Sequence, residues 1–150
     1  RERFGQLVAE YLARSGACAP IPGGAALLES LRRRPDLHVG IATGGWGHTA
    51  LMKLRAAGYT TAGLAVASAD DAFTRTQILE IAHIRLAPAA AAVYVGDGEW
   101  DRRACESLGW PFVGIGGRLR GQCEHWMPDL LSGHVLGALL AAATNDRSSA

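Results

Sequence analysis

Short apolar runs rich in β-branched residues alternate along this chain with amphipathic stretches of helical period. This alternation is typical of parallel strands joined by crossover helices, and it predicts an α/β fold. Because the strand segments carry almost no charge, helices are expected to cover both faces of a doubly wound parallel sheet. The predicted strands are residues 37–43, 63–68, 91–95 and 111–115, and the predicted helices are residues 3–14, 25–34, 48–57, 76–86, 100–108 and 130–143.

The composition limits what kind of domain this can be. Of the 150 residues, 49% are hydrophobic and 19% are charged, which excludes a disordered chain. A net charge of +1 offers little attraction to nucleic acid. No apolar run approaches the roughly 20 residues needed to cross a bilayer. The three cysteines form no CxxC pair. We therefore expect a cytoplasmic protein whose partner is a small molecule, neither nucleic acid nor membrane. The sequence does not indicate whether the protein forms oligomers.

Ligands of open parallel sheets bind beyond the carboxyl ends of the strands, so the residues there are the candidate site. Two of the predicted strand ends are glycine turns, and two carry paired acidic residues. This composition suits an anion held together with a hard cation. The segments are residues 43–45, 69–71, 96–101 and 116–117.

Asp97 and Asp101 are the strongest metal-binding candidates. Asp97 directly follows a predicted strand, and Asp101 lies four residues later at the opening of a helix. Magnesium prefers oxygen ligands and commonly takes one or two carboxylates together with substrate phosphate and water. The alternative for Asp101 is a carboxylate that only stabilises the helix N-terminus.

Thr43, Gly44 and Gly45 form a small hydroxyl-bearing turn between a strand and a helix, which can bind an anion through backbone N–H groups. Arg75 follows Thr74, which has capping-box spacing to Gln77, so Arg75 is predicted to open a helix and face the same anion. The alternatives are an ordinary tight turn and a solvated surface arginine.

Taken together, these segments resemble a known family. Residues 39–45 (VGIATGG), Arg75 and residues 93–101 (VYVGDGEWD) are similar, in that order, to the second, third and fourth motifs of the haloacid dehalogenase-like hydrolases, in the phosphoglycolate-phosphatase-like branch. The resemblance covers residues 20–117, and the strand followed by GDxxxD is its most specific part.

The resemblance implies a magnesium-dependent phosphohydrolase of a small phosphorylated metabolite. It implies that Thr43 binds the transferring phosphoryl group, that Arg75 supplies the cation of the third motif, and that Asp97 and Asp101 hold Mg²⁺. Gly44 and Gly45 are expected to bind the same phosphate through the turn described above. It also implies a division of the chain into a remnant of a helical cap (1–19), a Rossmann-like core (20–144) and a disordered tail (145–150).

Two departures from the family pattern qualify this expectation. The third-motif cation is usually a lysine, and here Arg75 must replace it, because the only lysine is Lys53 in another helix. The family's nucleophilic aspartate, in an Asp-x-Asp motif at the end of a central strand, has no counterpart ahead of the second motif. The chain as printed is therefore expected to be inactive, and the strands before Thr43 and before Asp97 are expected not to pair directly.

Two other classes of function compete with this interpretation. Gly45 and Gly47 fit a GxGxxA pattern between a strand and a helix, and Asp70 ends the next strand, as in Rossmann-type dinucleotide-binding modules. This alternative predicts binding of NAD without magnesium. The other alternative is a non-catalytic haloacid dehalogenase-like protein kept for interaction.

Overall fold

The computed structural model of the protein describes residues 2–15, 18–86, 91–131 and 137. These residues form an α/β fold with two small parallel sheets. The helices are α1 (Glu2–Ser15), α2 (Gly24–Arg32), α3 (Gly47–Ala56), α4 (Arg75–Leu86) and α5 (Glu99–Leu108), with a 3₁₀ turn at Gly117–Leu119. The strands are β1 (Gly40–Ala42), β2 (Ala65–Ala67), β3 (Tyr94–Gly96), β4 (Phe112–Ile115) and β5 (His125–Met127).

All strand pairs are parallel, as the alternating pattern predicts. The first sheet pairs β1 with β2 in the register Ile41 to Val66, and α3 is the crossover between them. The second sheet has the order β3, β4, β5, and α5 connects β3 to β4. Helix α4 is the link from the first sheet to the second.

The predicted strands are all present but shorter than predicted. Residues 116–127 lie outside the predicted strands and helices, yet they contain a fifth strand, because β5 pairs with β4 there. Trp126 fixes this strand by donating its indole N–H to the Gly116 carbonyl at 2.7 Å. Leu130 and Leu131 are not helical, so the predicted last helix does not begin where expected. The rest of that helix and the predicted tail lie outside the described residues, apart from residue 137.

Apolar side chains cover the second sheet on both faces. Val113 and Ile115 point to one face and contact Leu27 of α2. Phe112 and Tyr94 point to the opposite face, where they contact buried residues of α4 and α5. Because strand side chains alternate between faces, this is the arrangement expected of a sheet enclosed by helices. Within the described residues, none of the helices combines the length and hydropathy of a membrane span.

Helix α4 begins where the sequence predicts. Thr74 Oγ1 accepts the Gln77 backbone N–H at 3.3 Å, and Gln77 Oε1 accepts the Thr74 N–H at 3.4 Å. This reciprocal pair is the predicted capping box. It places Arg75 on the first turn of α4, at the end of the sheet where β1 and β3 finish.

Replacing Gly23 with alanine is expected to destabilise the protein strongly. Gly23 has φ of 81°, and a Cβ there would stand 2.2 Å from the Leu130 carbonyl oxygen. Strain of positive φ costs about 1–3 kcal/mol for a residue with a side chain, and the clash with backbone adds about 2 kcal/mol. Gly58→Ala is the matched control, since Gly58 has φ of 83° with open space around it. Urea unfolding measures both variants, and equal losses would contradict the Gly23 contact.

Candidate functional site

The turn after β1 is held in a defined shape by its own groups. Thr43 Oγ1 accepts the Gly45 N–H at 3.1 Å, while the Thr43 N–H donates to the Ala67 carbonyl in β2. The Thr43 hydroxyl proton therefore remains available to an acceptor outside the turn. Gly44 and Gly45 are exposed, so a ligand can approach their backbone.

Arg75 lies against this turn and is paired with a predicted metal ligand. Its Nε donates to Asp101 Oδ1 at 2.5 Å. The Asp101 side chain is 2% exposed and that of Arg75 is 18% exposed, so the ion pair is largely shielded from water. The interpretation of Arg75 as a solvated surface residue is wrong, because its guanidinium is anchored between α4 and α5.

Tyr94 is a member of this site that the sequence analysis did not identify. Its hydroxyl accepts Arg75 Nη2–H at 3.2 Å and donates to the Ala42 carbonyl at 3.1 Å. Burial raises the pKa of Tyr94 well above its usual value, so the hydroxyl keeps its proton for Ala42. The available signal was its position as the one hydroxyl in the apolar strand before Gly96.

The remaining guanidinium nitrogen has no hydrogen-bond partner in the described part of the chain. Arg75 Nη1 is buried and unpaired. It lies 3.3 Å from the point where a Gly44 Cβ would stand, so the missing side chain of Gly44 is what allows it to approach the turn. Thr43, Gly44, Gly45 and Arg75, the four predicted phosphate-binding residues, are thus brought together.

The two predicted magnesium ligands have different surroundings. Asp97 is exposed at the end of β3, where its carboxylate can accept a cation. Asp101 is buried, and one of its oxygens is committed to Arg75. A Cβ on Gly96 would stand 2.8 Å from Asp101 Oδ2, so glycine there permits the close approach of Asp101 to the strand. Across the described residues, no group of three or more His, Cys, Asp or Glu side chains forms a metal site.

Asp70, the predicted ribose ligand of the dinucleotide alternative, occupies a different role. Its Oδ2 accepts the Gly47 N–H at 2.9 Å, at the N-terminus of α3. A pyrophosphate on this glycine turn would need the same N–H group and would meet the negative charge of Asp70. This geometry disfavours a dinucleotide at Gly45 and Gly47.

β1 and β3 lie in separate sheets, and the break between these two strands is here called the gap. The Thr43 N–H points toward β2. Because the backbone N–H and C=O groups of successive strand residues point to opposite sides, those of Gly40 and Ala42 point away from β2. On that side the Ala42 carbonyl meets the Tyr94 hydroxyl. In the described residues no backbone hydrogen-bond ladder joins β1 to β3.

The facing edge of β3 is arranged in the same way. The Tyr94 N–H donates to the Pro111 carbonyl, so the backbone of Tyr94 faces β4. Val93 and Val95 therefore direct their backbone groups away from β4 and toward the gap. Each of these two strands is thus an edge strand in the described residues, with one side on which a further strand can pair.

A separate groove runs beside α4. It has a volume of about 900 Å³ and is lined by residues that include Asp70, Phe73, His83 and Trp110. Thr43, Arg75 and Asp97 do not line it. The candidate phosphate site is therefore an open turn at the sheet edge, separate from this groove.

Cys105 is expected to resist thiol reagents in the native protein. Its side chain is fully buried, and burial, with a smaller contribution from Asp101, raises its pKa to about 12. At pH 8 only roughly 1 in 10,000 of such thiols is ionised, so Ellman's reagent should react first at the half-buried Cys18. Because the unfolded thiol has its ordinary pKa, this group's contribution to stability is lost as the pH rises from about 8.5 toward 12. Labelling followed by peptide mapping, with Cys18→Ser as control, measures this order, and rapid native labelling of Cys105 would contradict it.

Comparisons of the chain with protein-family models, with curated proteins and with solved structures each gave no match. Function is therefore inferred from the residues and their geometry.

Proposed function

We propose that this chain is the core of a magnesium-dependent phosphohydrolase of small phosphorylated metabolites, built like the haloacid dehalogenase-like hydrolases that its motifs resemble. The observation that carries the proposal is the convergence of the Thr43 turn and Arg75 at one end of the sheets. They are 32 positions apart in the sequence, yet Arg75 Nη1 is buried without a partner against Gly44. A buried cationic donor without an acceptor is costly, and a phosphoryl oxygen would satisfy it.

Each residue of the site has a distinct role in this proposal. The Thr43 hydroxyl and the Gly44 N–H donate to phosphoryl oxygens, and Arg75 neutralises the charge that develops on them. Asp97 is the carboxylate open to Mg²⁺. A bound Mg²⁺ would stabilise negative charge on the phosphate oxygens. A role for Asp101 as a second ligand remains a prediction, because its ion pair with Arg75 leaves one oxygen uncommitted.

The nucleophile belongs in the gap between β1 and β3. A strand placed there would end beside the Thr43 turn and Asp97, where an aspartate could attack the phosphoryl group. The 150 printed residues contain no Asp-x-Asp sequence to fill that place, so they are expected to bind phosphate without turning over a phosphate ester.

Titration of the chain with inorganic phosphate in a calorimeter tests the proposal. In the presence of MgCl₂, Arg75→Ala is expected to weaken binding about tenfold or more, since a charged hydrogen bond is lost. Arg103→Ala is the control, because Arg103 lies on α5 with a side chain 72% exposed. Asp97→Asn should remove the enhancement by Mg²⁺. Binding of NAD without magnesium, unaffected by Arg75→Ala, would instead support a dinucleotide module.

A further inference from the structure

Two of the three guanidinium nitrogens of Arg75 already make a hydrogen bond within the protein. Nε is bonded to Asp101, and Nη2 is bonded to Tyr94. Free arginine offers a two-nitrogen fork to an oxyanion, whereas lysine offers one compact cation. Nη1 is the guanidinium nitrogen that has no bond in the described residues, and it is the one that lies at the Gly44 turn, where it can face a ligand.

We propose that Tyr94 is a positioning residue that makes Arg75 act as a single-nitrogen cation toward the bound phosphate. The inference rests on the proposed phosphate site and extends it to a residue that makes no contact with the ligand. It also accounts for how an arginine can occupy a position where the related motif usually has lysine. The Asp101 bond alone leaves the guanidinium free to tilt about its Nε, and the second bond, to Tyr94, fixes its plane.

Tyr94 also connects Arg75, through hydrogen bonds, to β1, the strand that precedes the phosphate-binding turn. Its hydroxyl proton is given to the Ala42 carbonyl, one residue before Thr43. The hydroxyl oxygen therefore accepts from Arg75 while its own proton is directed at β1. The tyrosine ring stacks on Phe112 of the neighbouring strand β4, with centroids 6.3 Å apart, so the ring is held in the second sheet while its hydroxyl reaches β1 in the first. The position of Nη1 is thus set relative to Gly44 across the gap.

A double-mutant cycle on phosphate affinity tests this role. Tyr94→Phe keeps the ring and removes the hydroxyl. In the protein that retains Arg75, this change is expected to weaken phosphate binding about fivefold. In an Arg75→Lys background, where a single ammonium needs no such orientation, the same change should alter affinity less than about twofold. Tyr11→Phe, at a side chain on α1 that is 64% exposed, is the control. Equal losses in the two backgrounds would mean that Tyr94 is only structural and would overturn the inference.

An NMR measurement gives a readout that does not depend on phosphate. In the wild-type chain the Nη1 and Nη2 groups of Arg75 should give separate signals, since rotation about the Cζ–Nε bond is hindered by the Tyr94 bond. In Tyr94→Phe these signals should merge. A merged signal in the wild type would overturn the inference even if Tyr94→Phe failed to fold. Failure of the wild type to bind phosphate, with separate signals present, would overturn the proposed function and leave the positioning of Arg75 supported.

Discussion

A longer polypeptide in which a β-strand ending in Asp-x-Asp precedes Arg1 is expected to hydrolyse p-nitrophenyl phosphate in the presence of Mg²⁺. The rate should exceed that of the 150-residue chain by about a thousandfold or more, because orienting groups without a nucleophile leave only residual catalysis. The physical reason lies in the two facing strand edges. Ala42 on β1 and Val95 on β3 direct backbone groups into a gap that no described strand fills.

The matched control changes the first of the two added aspartates to asparagine. This variant should form the same strand and lose the activity, because the amide cannot take the phosphoryl group. Trapping of a phosphorylated aspartate by mass spectrometry would locate the nucleophile. A folded protein that gains the strand but hydrolyses no faster than the printed chain would contradict the placement of the nucleophile in the gap.

Asp101→Asn is expected to lower the free energy of unfolding by about 3 kcal/mol or more. Removing one partner of a buried ion pair leaves the other charge without compensation, which typically costs about 3–5 kcal/mol. Water can replace little of this interaction, because the Arg75 side chain is only 18% exposed. Urea unfolding followed by circular dichroism measures the loss.

Two further variants test whether the loss of stability arises because the Arg75–Asp101 pair is buried. Glu106→Gln breaks an ion pair of Arg102 in which the Glu106 side chain is 70% exposed, and it should cost less than about 1 kcal/mol. Replacing both members of the buried pair, Arg75→Met with Asp101→Leu, should recover much of the stability while abolishing phosphate binding. Similar losses for Asp101→Asn and Glu106→Gln would show that the Arg75 pair is not shielded from water.

The local elements could be predicted from sequence, because their signals lie within a few residues of one another. The capping box at Thr74 and Gln77 and the stop of α5 at Gly109 depend only on nearby backbone groups. Strand β5 was missed because three residues, His125–Met127, are too few to show alternation. Its existence depends on pairing with β4 and on the Trp126 bond to Gly116, which are contacts between separate segments.

In the site too, local sequence signals identified individual residues, whereas the contacts between distant segments could not be predicted. Strand-end positions identified Thr43 and Asp97, since parallel strands bring their carboxyl ends together, and the capping box at Thr74 identified Arg75. The sequence could not show that Arg75 pairs with Asp101, 26 residues away, or that Tyr94 bonds to Ala42, 52 residues away. These contacts depend on how α4 and α5 meet across the gap between the sheets. They also make Asp101, an expected metal ligand, the ion-pair partner of Arg75.

The most direct test of the phosphate site is a titration of ¹⁵N-labelled protein with inorganic phosphate and Mg²⁺, followed by two-dimensional NMR. The account predicts saturable shifts of the Gly44 amide and the Arg75 side-chain signals, with Gly47 little affected because Asp70 already accepts its N–H. Chloride at equal ionic strength should not reproduce the shifts. Absence of a response at Gly44 and Arg75 at millimolar phosphate, or a response to NAD centred on Gly47, would contradict the phosphate site.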